Sequence, residues 1–199
     1  MGLPVVLYNV PGRTGSNIQD DTLGILSRHE NIVGIKDASG DVSRLKSAKL
    51  AVGHDNDSFL FYSGDDSTTV DYLLLGGDGC ISVTANIVPH MMHEMVHAAL
   101  NGETKRANEL NDHLSMLHSK LFVESNPIAA KWAAKGIGLI DSDYCRPPLD
   151  RMDNQFAPVV DQALQKAGFL GVHRLPYKKI YNHLDLSLPV KVRDSLFDR

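Results

Sequence analysis

Cysteine is scarce in this chain: Cys80 and Cys145 are the only two in 199 residues. Two thiols cannot build a disulfide framework or a multi-cysteine metal site, and their scarcity fits a reducing compartment. Long apolar runs are missing too; none approaches the ~20 residues that span a bilayer. The opening Met1-Gly2-Leu3-Pro4 lacks the charged stretch of a signal peptide. Position 6 is Val, so the pattern for myristoylation is incomplete. Positive charge is not in excess, with 20 Lys and Arg against 24 Asp and Glu. Neither nucleic acid nor an anionic membrane is therefore an expected partner. Repeats and low-complexity segments are absent. What remains is the expectation of a soluble, cytoplasmic, globular chain, 43% hydrophobic.

What is present is alternation. Leu3–Asn9, Ile32–Lys36, Phe59–Ser63 and Gly79–Val83 read as short strands. Between them, Gln19–His29, Asp41–Val52 and Ser67–Leu75 have helical spacing, with Leu23, Ile25 and Leu26, then Val42, Leu45 and Ala48, then Val70, Leu73 and Leu74 inward. Strands alternating with helices imply parallel βα units. The strands are apolar on both faces, so cover on both sides is expected, by a doubly wound sheet or a closed barrel. After residue 89 the pattern is helical: His90–Leu100, Glu103–Leu121, a helix N-capped by Asn126 and running to Lys135, and Asn154–Ala167 stopped by Gly168. Ala107, Leu110, Leu114, Leu117 and Leu121 form a narrow seam on the second of these. Residues 171–199 lose periodicity and are an unassigned tail.

Chemistry concentrates at Lys36. Side chains alternate along a strand, so Gly34 and Lys36 share one face and Val33 and Ile35 the other. If helices cover the second face, Lys36 points inward at the carboxyl end of its strand, where α/β folds place their chemistry. A lysine that attacks a carbonyl must be neutral, and burial lowers its ordinary pKa of about 10.4. Tyr8 ends the first strand and is expected on the same side, where a phenol can shuttle protons. Arg13, in the turn Pro11-Gly12-Arg13-Thr14-Gly15, can clamp a carboxylate with both arms of its guanidinium.

Other residues carry weaker signals. His90, His93 and His97 share a helix face, but only Glu94 is nearby as an acidic partner, so a solvated face is the simpler reading. Asp65-Asp66 fits helix capping better than cation binding. Gly76-Gly77-Asp78-Gly79 lacks the following Lys-Ser/Thr of a phosphate cradle and reads as a tight turn. Cys80 reads as a small core residue.

Five blocks resemble the dihydrodipicolinate synthase family. They are Leu7-Tyr8-Asn9-Val10-Pro11-Gly12-Arg13-Thr14-Gly15, Gly34-Ile35-Lys36-Asp37-Ala38-Ser39-Gly40, Ser63-Gly64-Asp65-Asp66, the run from Gly76 to Asn86, and Leu121–Ile128 with Lys131-Trp132. The resemblance covers roughly residues 3 to 170. It implies an α/β fold: the last four βα units of a (β/α)8 TIM barrel, residues 1–89, followed by a C-terminal helical domain, residues 90–170. It implies condensation of pyruvate with L-aspartate-4-semialdehyde to 4-hydroxy-tetrahydrodipicolinate, in lysine biosynthesis by the diaminopimelate route. No cofactor or metal is implied beyond a covalent lysine–pyruvate imine. Lys36 matches the lysine that forms it, Tyr8 the proton-relaying tyrosine and Arg13 the arginine that receives the semialdehyde carboxylate. Ile81 matches the residue whose backbone carbonyl lies beside pyruvate; Gly64 and Asn86 are expected to contact substrate. Self-association as dimer or tetramer is also implied.

The match begins at the family's fifth barrel strand. The Gly-Thr-Thr-Gly-Glu type loop that holds the pyruvate carboxylate has no counterpart here; Thr68-Thr69 opens a helix instead. Two alternatives follow: a catalytically silent half-barrel that associates with another polypeptide, or a related lyase of N-acetylneuraminate or keto-sugar acids. The Gly12-Arg13-Thr14-Gly15 turn favours the synthase over that related lyase.

Overall fold

The computed structural model describes residues 2–53, 56 and 58–169; the expected tail lies outside them. Four strands, β1 (Val5–Asn9), β2 (Ile32–Asp37), β3 (Leu60–Ser63) and β4 (Gly79–Cys80), form one sheet in the order β1-β2-β3-β4. All three pairings are parallel, with Tyr8 beside Lys36 and Lys36 beside Tyr62.

The turn after β1 is a single helical turn, α1 (Pro11–Thr14), opened by proline and closed by Gly15 at φ 65°. Helices α2 (Asp20–Leu26), α3 (Arg44–Val52) and α4 (Thr69–Leu74) follow β1, β2 and β3. Leu23, Leu45, Ala48 and Tyr72 from these helices bury Ile35, Phe59 and Phe61, with Leu7 and Val42 packed at the margin. Of the helical positions expected inward, Leu23, Leu45, Ala48, Val70 and Leu73 are buried, but Ile25 is 67% exposed and Leu74 is also exposed.

Cover on both faces is not found among the described residues. On the Lys36 side, Val6 is 41% and Tyr8 49% exposed. The cause is topological. Parallel crossovers are right-handed, so a strand order that never reverses returns every helix to the same face.

The helical part consists of α5 (Pro89–Leu100), α6 (Thr104–Lys120), α7 (Ile128–Gly136) and α8 (Ala157–Lys166). All five expected seam residues of α6 and the residue after it are buried, in a cluster with Met92, Met95, Ala129, Ala133, Val160 and Leu164. Val70 and Leu73 join this cluster too, so α4 touches both apolar groups. Asn126 does not cap α7; Pro127 takes that position. No helix among the described residues is long and apolar enough to cross a membrane.

Candidate active site

Alternation along β2 places Lys36 on the open face, opposite Ile35, which the helices bury. The register then brings two phenols alongside it, Tyr8 from β1 and Tyr62 from β3. Lys36 Nζ lies 4.4 Å from the centroid of the Tyr8 ring, within the range of cation–π attraction. Partial burial pulls the Lys36 pKa below its ordinary value, while the negative charge of Asp66 opposes that fall. A lysine held this way releases its proton more readily than a solvated one, which is what attack on a carbonyl requires.

Gly64 shapes the floor. A Cβ built on it would meet Lys36 Cε at 2.9 Å, Lys36 Cγ at 3.0 Å and Ala38 Cβ at 2.8 Å. Only glycine lets the backbone of residue 64 lie against the lysine stem. Its N–H donates to the Asp37 carbonyl at 2.6 Å, extending the β2–β3 ladder by one step. Gly79 plays the same part for Tyr62, whose ring atoms would lie 3.2 Å and 3.3 Å from a Cβ there. Burial raises the Tyr62 pKa, with Asp78 adding to the rise, so this phenol keeps its proton across the neutral range.

The other sequence-derived residues fall further out. The Ile81 N–H, one residue past β4, donates to the Ser63 carbonyl at 2.9 Å, and its side chain is exposed. Arg13 is exposed on α1 and its Nη1 donates to the Asn126 carbonyl at 3.4 Å, tying the β1 turn to the start of the α7 region. Asn86 is exposed, and its amide donates to the carbonyls of Val83 (3.0 Å) and Ser82 (3.4 Å), so its hydrogen bonds are local.

His90 pairs with Glu94 at 3.0 Å and His93 stacks near His97. Among the described residues no group of His, Cys, Asp and Glu could hold a metal ion. Cys80 is half-buried beside the larger cluster and its thiol pKa is pushed up to about 12 by burial, so it stays protonated.

One residue of the neighbourhood was not singled out from sequence, and another was read in a different role. Tyr62 could have been: alternation within Leu60–Ser63 puts it in the plane of Lys36. Asp66 read as one of two capping carboxylates, yet only Asp65 caps, accepting from Ser67 N–H at 2.8 Å. Asp66 is 3% exposed and turned inward.

A lysine of lowered basicity at the carboxyl end of a parallel strand, with a phenol over it, defines a lysine-centred α/β protein. The description "Dihydrodipicolinate synthetase family" matches residues 1–167, and the chain belongs to that family. It is 47% identical over 165 residues to 4-hydroxy-tetrahydrodipicolinate synthase of Psychromonas ingrahamii, covering 83% of this chain and 55% of that protein. It is 48% identical over 165 residues, with the same coverage, to the protein of that name from Buchnera aphidicola. Among solved structures, a pyruvate complex of the dihydrodipicolinate synthase from Acinetobacter baumannii superposes with a TM-score of 0.80 at 46% identity, over 85% of this chain and 57% of that one. The Thermotoga maritima dihydrodipicolinate synthase gives 0.79 at 34% identity, over 85% and 58%. The chain spans a little over half the length of these relatives.

Proposed function

We propose that this chain carries the lysine-bearing part of a pyruvate-dependent Schiff-base lyase, the kind that condenses pyruvate with L-aspartate-4-semialdehyde to 4-hydroxy-tetrahydrodipicolinate in lysine biosynthesis. The observation that carries the reading is the Lys36–Tyr8 pair, on a chain 45–48% identical to proteins of that name.

The chemistry follows from the atoms present. The neutral Lys36 amine adds to C2 of pyruvate, and the carbonyl oxygen takes a proton to become the carbinolamine hydroxyl. Loss of that oxygen as water, with a further proton supplied, leaves a cationic imine on Nζ. Loss of a C3 proton then gives an enamine whose C3 attacks the aldehyde carbon of the second substrate. In this reading the Tyr8 hydroxyl passes these protons. Arg13 is the anchor for the semialdehyde carboxylate, and Ile81, Gly64 and Asn86 complete the substrate-contact set. The chemistry calls for no cofactor or metal. Residues 1–89 are four βα units of an eight-unit barrel and 90–170 a C-terminal helical domain, acting in the cytoplasm as part of a dimer or tetramer.

Incubation with pyruvate and borohydride tests this. A reduced three-carbon adduct confined to Lys36 is expected; no adduct on the folded chain, or adducts spread over surface lysines, overturns it.

One observation favours a second reading. Val6 and Tyr8 leave an apolar sheet face open, bounded by strand edges at β1 and β4 that are unpaired among the described residues. Such edges pair readily with other chains. On that reading the chain is a catalytically silent half that acts by associating. Light scattering separates the two: a stable monomer with turnover excludes the second, and an inert multimer excludes the first.

A further inference from the structure

Asp66 is more deeply set than its neighbour Asp65, and its two carboxylate oxygens have different surroundings. Oδ2 accepts three hydrogen bonds, from Val83 N–H at 3.1 Å, Thr84 N–H at 2.8 Å and Thr84 Oγ1 at 2.9 Å. Oδ1 is buried with no hydrogen-bond partner among the described residues. The Thr84 hydroxyl in turn lies 2.8 Å from His118 Nδ1 on α6, and His118 is 1% exposed. A hydroxyl has one proton to give. Since Thr84 gives it to the carboxylate, it accepts from His118, which fixes the imidazole proton on Nδ1. Nε2 is then a bare acceptor, buried without a partner among the described residues. The chain of donors runs from α6 through Thr84 to Asp66 and ends on an anion.

A buried anion is costly without an opposite charge to face. Asp65 caps the turn at Ser67, and the hydrogen bonds from Val83 and Thr84 all fall on Asp66 Oδ2, so none of them accounts for Oδ1. The cation at hand is Lys36. Gly64, two residues before Asp66, lies against the lysine stem. The charged and titratable groups around the ammonium are Asp66 after β3, the Cys80 thiol on β4, and the phenols of Tyr8 and Tyr62 on β1 and β3. Among the charges acting on Lys36, Asp66 contributes the largest attraction.

We propose that Asp66 is a positioning residue for Lys36: its carboxylate, held by the backbone of Val83 and Thr84 and by the His118–Thr84 relay, is the fixed negative charge that balances the lysine and the cationic imine formed on it. The imine half of this statement rests on the Schiff-base reading; the lysine half does not. The device has two opposed effects. It favours the protonated amine, which slows the first attack, and it favours the imine cation, which is the electron sink for the steps that follow.

The test reads the lysine directly. Competitive acetic anhydride labelling of the full chain across pH, followed by mass spectrometry, gives a midpoint for Lys36 relative to exposed Lys46. Asp66→Asn keeps an acceptor for Thr84 and removes the charge. The Lys36 midpoint is expected to fall by about one pH unit, with Lys46 unmoved, and Asp71→Asn on the outer face of α4 is expected to leave both in place. If the amide does not fit, Asp66→Ser removes the charge with a smaller acceptor. In the unaltered chain, raising salt from ~0.01 M to ~1 M is expected to move Lys36 less than Lys46, because a buried partner is poorly screened. An unshifted Lys36 midpoint in a folded, uncharged variant, or a Lys36 midpoint as salt-sensitive as that of Lys46, overturns the proposal. Failure of pyruvate to label Lys36 in the unaltered chain would overturn the Schiff-base reading while leaving these midpoints readable.

Discussion

Gly64 and Lys36 are in contact in a way that no other residue type at position 64 would permit, since a Cβ there would lie 2.9 Å from the lysine Cε. The stem of the lysine is thus aimed by the absence of a side chain one strand away.

Gly64→Ala is expected to displace Lys36 from the Tyr8 ring. Overpacking of this kind costs about 1–3 kcal/mol, and a misplaced nucleophile lowers its rate by about 10²-fold. Thermal unfolding and the rate of borohydride trapping with pyruvate measure the two separately. A variant with unchanged trapping would show that the floor does not aim the amine.

Tyr8→Phe keeps the ring beside the ammonium and removes only the hydroxyl. Tyr8 is half-exposed, so stability is expected to stay within about 0.5 kcal/mol of the parent. Imine formation is expected to slow by about 10²–10⁴-fold if the phenol moves protons. Stopped-flow trapping assays decide it.

His118 gives the fold an acid-sensitive point. Burial depresses its basicity, and Asp66 and Asp65 pull only partly the other way. Below its ordinary value of about 6.5, the unfolded chain takes up a proton that the folded chain resists. Stability is therefore whole above about pH 6.5 and is lost as the pH falls toward the lower folded value, with a slope of at most about 1.4 kcal/mol per pH unit. Urea unfolding at pH 7 and pH 5 is expected to show this decline, and His118→Gln to flatten it.

Leu114 lies at the centre of the α6 seam and is fully buried. Leu114→Ala is expected to cost about 2–5 kcal/mol, read as a lower urea midpoint. Labelling at Lys36, which the smaller cluster supports, should change far less so long as the chain stays folded.

Local periodicity carried much of this structure. The α6 seam was legible because its 3-4 spacing survives intact, and the Lys36–Tyr8 pairing because strand alternation fixes faces before any partner is known. What escaped reading depended on contacts distant in sequence. β4 was expected to run to Val83 but ends at Cys80. The N–H groups of Val83 and Thr84, which a longer ladder would use, go to the Asp66 carboxylate instead. The expected helix over 67–75 is also divided: Asp65 caps a 3₁₀ turn over Asp66–Thr68 before α4 begins. Ile25 and Leu74 fit their helical stripes yet are exposed. The open face near Val6 followed from strand order, which no single strand reveals.

The two apolar clusters meet at α4, and the last strand, β4, is two residues long. The amine stands on the open face of the sheet, while the relay that steadies its counter-charge is rooted in the helical layer, at His118 of α6. Warming that first softens the helical layer would accordingly be sensed as altered lysine reactivity while the strands still hold together.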